Sequence, residues 1–260
     1  MRFTLPTPTE SDVSSVRGAA NPCQMRMKPV IVGVTVFLST YGVYQAAAAV
    51  TRILARGPVA QSGSVFDYPV WGLFHFVPGT LFMALGPLQL WPRLRRSHRA
   101  VHRWCGRVFI ASSIVLAVAG VVLPFTMEGR SLAEKVVMTA FFTVFLGCLI
   151  KAFWHARRHQ FAAHREWMIR TFATGLVITT MRIIFLAFVI TTRVEGGSRE
   201  FWEHFVTSVW LAWLIHAAVA ESWINITRPQ SVATAPAVIG PAAFRPDLGQ
   251  RNQRVWRTHG

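Results

Sequence analysis

Acidic residues are scarce in this sequence of 260 residues. It contains 11 Asp and Glu against 27 Lys and Arg, and charged residues make up only 15% of the chain. A soluble domain of this size usually carries nearer a quarter charged residues. The acids are also scattered, so no paired-carboxylate arrangement stands out, and neither a nucleophile–base pair nor a phosphate-binding loop is recognisable. These absences argue against a hydrolase with soluble-type machinery, and whether the chain is an enzyme stays open.

Cysteine is equally sparse. The three cysteines are Cys23, Cys105 and Cys148, and their spacing fits neither a disulfide framework nor a metal site. Cys148 is interpreted as a small apolar residue buried inside a helix bundle. The sequence therefore predicts no metal centre.

Long uncharged runs take the place of the missing charges. Six are present: Pro29–Thr51, Tyr68–Pro92, Val108–Met127, Val136–Ile150, Thr171–Thr192 with only Arg182 inside it, and His204–Ala220. A helix needs about 20 residues to cross the hydrocarbon core, and backbone polar groups cannot be left unpaired in lipid. The sequence therefore predicts an all-α polytopic membrane protein, a bundle of six transmembrane helices.

The basic residues predict the orientation of this bundle. The links after the second and fourth runs carry six and five Lys or Arg, the two tails carry four and five, and the other three links carry two each. By the positive-inside rule, both termini are predicted to be cytoplasmic in a cell (inner) membrane. Attraction to anionic lipid headgroups at that face is a further expectation. Because topology accounts for the arginines, a nucleic-acid partner is not expected despite the net charge of +16.

The domain organisation follows from the same pattern. Residues 29–224 form the predicted membrane domain. Residues 1–28 and 225–260 are rich in Pro, Ser, Thr, Ala and Arg, with few apolar runs, and are predicted to be disordered cytoplasmic tails.

Two ionisable residues lie inside the predicted spans. Arg182 lies near the middle of the fifth span, and a buried arginine is a functional hypothesis by default. His75 lies inside the second span, on a face that continues through Gly79 and Gly86 to Gln89. We interpret His75, Gln89 and Arg182 as a candidate intramembrane polar site. Glu221 differs from Arg182 in depth by most of a monolayer, so a direct pair between them is not expected.

Five further histidines cluster at the predicted cytoplasmic side. His98 and His102 are four residues apart in the stretch SHRAVHRWCGR, His155 and His159 repeat that spacing, and His164 opens the fifth span. Such histidines can ligate haem or simply sit among headgroups. His98 and His102 would share a helix face if the third span begins early.

The ordered motifs resemble a known family. The segment FHFVPGTLFMALGPLQLWPRLRRSHRAVHRWCGRVF resembles the first signature of the domain-of-unknown-function 2306 family of predicted bacterial multi-pass membrane proteins. AAHREWMIRTFATGLVITTMRI resembles its second, with Phe172 in place of a tyrosine. The resemblance covers roughly residues 70–190. The resemblance implies which residues occupy the motif positions of the family, but it implies no activity. It favours His75, His102 and His164 over the other histidines as site residues.

Two hypotheses of function remain open, beside a third option in which the polar residues have a purely structural role. In the first, a single b-type haem binds between His102 and His164, with His75 as a further candidate ligand and Arg103 or Arg170 pairing with the propionates. In the second, the protein is a non-redox transporter, lipid-binding or assembly protein, and His75, Gln89 and Arg182 line its interior.

Overall fold

A computed structural model describes residues 22–56 and 65–228 of this chain. All regular secondary structure within these residues is helical. Seven α-helices lie in those ranges: α1 Pro22–Arg56, α2 Pro69–Leu90, α3 Pro92–Ser97, α4 Arg99–Thr126, α5 Leu132–Arg157, α6 Phe161–Thr192 and α7 Arg199–Thr227. A 3₁₀ turn, Val65–Asp67, precedes α2. The predicted all-α fold is confirmed.

All helices except the six-residue α3 are long and apolar enough to cross a membrane. Each corresponds to one of the six uncharged runs. The helices α1, α5, α6 and α7 contain the whole run and continue into charged residues, α4 begins before its run at Arg99, and α2 lies within its run. The prediction of six spans is therefore confirmed. Five of the helices extend beyond their runs because charged side chains can reach the interface from inside a helix.

The helices pack largely in chain order, and α6 occupies a central position. The successive spans α1, α2, α4, α5, α6 and α7 are neighbours, and α6 also contacts α1 and α2. A residue on α6 can therefore meet side chains from opposite ends of the sequence. This placement brings the second sequence signature against the first.

Phe82 lies at the centre of the bundle and contacts three helices. It is fully buried, and its ring centroid is 4.9 Å from that of Phe109, 5.4 Å from that of Phe145 and 5.6 Å from that of Phe172. Aromatic pairs at such separations contribute about 0.5–1.5 kcal/mol each beyond their area burial. Phe82 thus joins α2 to α4, α5 and α6.

Between α2 and α4 the chain forms the short helix α3, which the pattern of uncharged runs does not predict. Pro92 begins α3, and its fixed φ suits a first helical position. His98 then precedes α4, which begins at Arg99. His98 is thus a capping residue just outside the helix, while His102 lies in its first turn.

One end of the bundle carries most of the arginines, and we call it the basic end. It comprises α3, the α5–α6 turn at residues 158–160, the first turns of α4 and α6, and the last turn of α7. Arg165 Nη2 donates a 2.8 Å hydrogen bond to Thr227 Oγ1 and links α6 to α7 there. Residues 1–21 and 229–260, which hold most of the predicted tails, lie outside the described residues.

Candidate functional site

A cavity of about 50 Å³ lies between α1, α2, α4, α5 and α6. Its polar lining consists of Gln45, His75, Thr179 and Arg182, and phenylalanines from α2 and α5 form much of the rest. A water molecule needs roughly 10–15 Å³ of such volume, so the cavity has room for a few waters or one small polar molecule. It contains two of the three residues predicted as the intramembrane site.

His75 is held in place by aromatic rings. Its imidazole meets Phe76 and Phe142 edge-on, with centroids 5.3 and 6.1 Å apart. Its Nδ1 is buried and has no hydrogen-bond partner within the described residues. A buried polar atom without a partner is costly, so this nitrogen is available to a guest in the cavity.

Arg182 provides the positive charge of the cavity. It lies ten residues before the end of α6, which is about 15 Å along the helix axis. Within residues 22–56 and 65–228 its guanidinium makes no salt bridge and no hydrogen bond, although it interacts electrostatically with His75 and Tyr41. The charge of Arg182 is therefore not neutralised by the described protein.

Gln45 extends the polar lining onto α1. Its Nε2 donates a 2.7 Å hydrogen bond to the hydroxyl oxygen of Tyr41, which lies one turn away and outside the lining. Since that oxygen accepts, the Tyr41 hydrogen remains available for donation to another group. Tyr41 also interacts electrostatically with Arg182.

Thr179 stands apart from its neighbours on α6. The hydroxyls of Thr171 and Thr174 each donate to the carbonyl four residues earlier, at 2.8 Å, which is the usual solution for threonine in an apolar helix. Thr179 is 1% exposed, yet its Oγ1 has no partner among the described residues. Its hydroxyl therefore adds a second unpaired polar group to the cavity.

Together these groups create a site with positive charge and several donors. The lining includes no Asp or Glu. A planar guanidinium presents paired donors that match a carboxylate, and the low local polarity strengthens such an interaction. The arrangement is suited to a small anion.

A second group of polar residues lies at the basic end. His102 and His164, from the first turns of α4 and α6, are close enough to interact electrostatically, and Arg95 of α3 acts on both. His164 Nδ1 lies 2.8 Å from the Ala152 carbonyl oxygen. A carbonyl only accepts, so Nδ1 must donate and His164 Nε2 carries the free lone pair. His102 Nδ1 is buried without a partner in the described chain.

Gln89 packs against α4 and does not line the cavity. It is 6% exposed. A methyl group added at Gly106 would lie 3.4 Å from Gln89 Oε1, so the side chain packs against that glycine on α4. Its Nε2 is buried without a partner in the same described ranges.

The arginines predicted for haem propionates have other surroundings. Arg170 makes a two-pronged salt bridge to Glu221, with Nε–Oε1 at 2.6 Å and Nη2–Oε2 at 2.9 Å, and Glu166 lies 3.9 Å away. Arg103 is exposed. Glu221, the acid considered for Arg182, is therefore paired with Arg170.

The remaining histidines make other contacts. His155 Nδ1 lies 2.6 Å from Gln160 Oε1, and His155 also interacts electrostatically with His164. His159 lies in the α5–α6 turn with φ of 58°, and His216 Nε2 lies 2.8 Å from Thr180 Oγ1. No group of three or more potential metal ligands converges within residues 22–56 and 65–228.

Sequence reasoning missed Tyr41, Gln45 and Thr179. Gln45 is the only amide inside the first uncharged run, and that feature offered a signal. Tyr41 and Thr179 look ordinary in apolar helices. Only their packing beside Arg182 gives them significance.

Comparison with known proteins gives one match. A family model described as "Predicted membrane protein (DUF2306)" matches residues 72–224, which includes α2 from its first turn and extends to the last turn of α7. No curated protein and no solved structure matches the chain.

Proposed function

The chain belongs to the DUF2306 family of predicted membrane proteins, and from that premise we propose that it binds a small carboxylate in the His75–Arg182 cavity, as a transporter of organic acids does. The observation that carries the proposal is an arginine without a described counter-charge in the wall of a cavity within a membrane bundle. Arginines in such positions mark substrate or ion pathways.

The remaining lining supports a carboxylate in particular. Arg182 supplies a planar pair of donors, Thr179 an unpaired hydroxyl and Gln45 a side-chain amide. The volume suits a ligand of a few heavy atoms, and the phenylalanines suit its short alkyl end.

Binding of radiolabelled acetate to the purified protein tests this proposal. Acetate is expected to bind saturably and to raise the thermal unfolding temperature, because a ligand that binds only the folded state stabilises it. Methylammonium, a cation of similar size, is the matched control and is expected to do neither. Equal effects of the two probes, or no effect of acetate, would contradict the proposal.

We also propose that the basic end faces the cytoplasm, which places both termini there. The support is the concentration of arginines on α3 and on the first turns of α4 and α6, where they can also attract anionic headgroups.

Cysteine labelling of intact cells checks this orientation. In a chain whose own cysteines are replaced, Ser198→Cys is expected to react with an impermeant thiol reagent, and Ser97→Cys only after permeabilisation. The two positions lie just before α7 and at the end of α3, at opposite ends of the bundle. The reverse pattern would invert the orientation.

A second candidate function is a single b-type haem between His102 and His164. It is supported by the proximity of two imidazoles from different helices and by the hydrogen bond from His164 Nδ1 to Ala152, which orients the ring and leaves Nε2 as a ligand atom. When bound, such a haem would supply one-electron chemistry. The salt bridge of Arg170 to Glu221 weighs against Arg170 as a propionate partner.

A visible spectrum of protein expressed with haem available tests the second candidate. A Soret band is expected in the wild type and in His98→Ala, and it is expected to be lost in His102→Ala and His164→Ala. His98 is the matched control because it lies at the same end but outside α4. A colourless, folded wild-type protein would exclude the haem.

A further inference from the structure

We infer that the cavity takes up a proton on His75 together with each anion that binds at Arg182. This inference rests on the proposed function and concerns its regulation by pH. It follows from the juxtaposition of an imidazole and an uncompensated guanidinium in one small cavity.

The charges that face His75 can be named for each neighbouring helix. From α6 comes Arg182, and α1 contributes the amide of Gln45, which is hydrogen-bonded to Tyr41. The lining from α4 and α5 consists of Leu116 and phenylalanines, and no described Asp or Glu lines the cavity. Without a bound anion, the cavity therefore holds one positive charge while His75 is neutral.

A second positive charge in the cavity is unfavourable when no anion is bound. Two unit charges in a poorly polar interior repel strongly, and the phenylalanines offer His75 no solvation. The orphaned Nδ1 on a ring fixed by Phe76 and Phe142 indicates that a guest, not the protein, satisfies this nitrogen.

An anion bound at Arg182 makes protonation of His75 favourable. The carboxylate cancels the guanidinium charge and offers an acceptor, so a proton on His75 gains a favourable partner. Binding free energies are reciprocal, so a proton on His75 must raise the affinity for the anion by the same factor. When the anion and the proton are both bound, the net charge of the cavity is the same as before binding. One anion and one proton from water thus enter together, with no net charge.

The pH dependence of acetate affinity tests the inference at constant ionic strength. Above pH 6.5 acetate itself is fully ionised, so any slope belongs to the protein. The dissociation constant of the wild type is expected to rise by up to tenfold per pH unit over some interval between pH 6.5 and 9. That slope corresponds to one proton taken up per anion.

Two histidine variants separate His75 from other titrating groups. In His75→Gln the slope is expected to vanish while acetate still binds, and His75→Asn serves if the glutamine variant does not fold. His216→Gln is the matched control, because His216 is buried on α7, bonded to Thr180 and absent from the cavity lining, and it is expected to keep the wild-type slope.

The outcomes distinguish the two proposals. A wild-type protein that binds acetate with no slope, or a slope that persists in His75→Gln, overturns the proton coupling and leaves the binding function intact. Absence of acetate binding at every pH overturns the binding function itself and the coupling with it.

Discussion

Replacing Arg182 by glutamine is expected to weaken acetate binding by about 10- to 150-fold. Hydrogen bonds to charged groups are worth about 1.5–3 kcal/mol, and each 1.4 kcal/mol is a factor of ten in affinity. Glutamine keeps one polar donor but loses the charge and the paired geometry. Arg182→Lys keeps the charge without the planar fork and is expected to show a smaller loss.

Equilibrium binding of radiolabelled acetate and acetate-dependent thermal stabilisation measure this effect. Arg157→Gln is the matched control, since it removes the same charge from an exposed position at the end of α5. Retained affinity in Arg182→Gln, or an equal loss in Arg157→Gln, would remove Arg182 from the binding site. Because Arg182 has no described salt bridge to lose, its replacement is expected to leave the unfolding temperature without acetate unchanged or higher.

Replacing Gly86 by alanine is expected to destabilise the bundle by about 1–3 kcal/mol or more. A methyl group at this position would overlap the ring of Phe172, which is 2% exposed and packs against Phe82 in a tilted arrangement. The ring has no free space to enter, and overpacking of a tight core carries a cost of this size. The consequence is separation of α2 from α6, the helices that carry His75 and Arg182.

Thermal unfolding in detergent checks this prediction. Gly147→Ala is the matched control, because the added methyl on α5 meets nothing within 4 Å and alanine favours a helix by up to about 1 kcal/mol. The double variant Gly86→Ala with Phe172→Leu is expected to recover part of the loss, because leucine is smaller. No difference between Gly86→Ala and Gly147→Ala would contradict the close approach of α2 and α6.

The resemblance to the family signatures acquires a physical meaning in these contacts. Gly86 of the first signature lies against Phe172 of the second, and Gln89 lies against Gly106. The glycines allow side chains of neighbouring helices to approach closely, as is common between membrane helices. Several signature positions are thus explained by packing, whereas His75, His102 and Arg182 have no comparable packing role.

The sequence by itself determined the number of spans and the predicted orientation. Both depend on one-dimensional quantities, the lengths of uncharged runs and the distribution of Lys and Arg. It also singled out Arg182 and His75, since an ionisable residue within a span is conspicuous without any knowledge of its neighbours.

Only the tertiary structure decided which polar residues share a site. His75 and Arg182 are separated by more than a hundred residues, and their meeting depends on the packing of α6 against α1 and α2. The packing of the helices also adds Gln45 and Thr179 to the cavity, places Gln89 against Gly106 and pairs Glu221 with Arg170. The physical reason is that helical periodicity predicts the face of a single helix, whereas the partner of that face depends on contacts between helices distant in sequence.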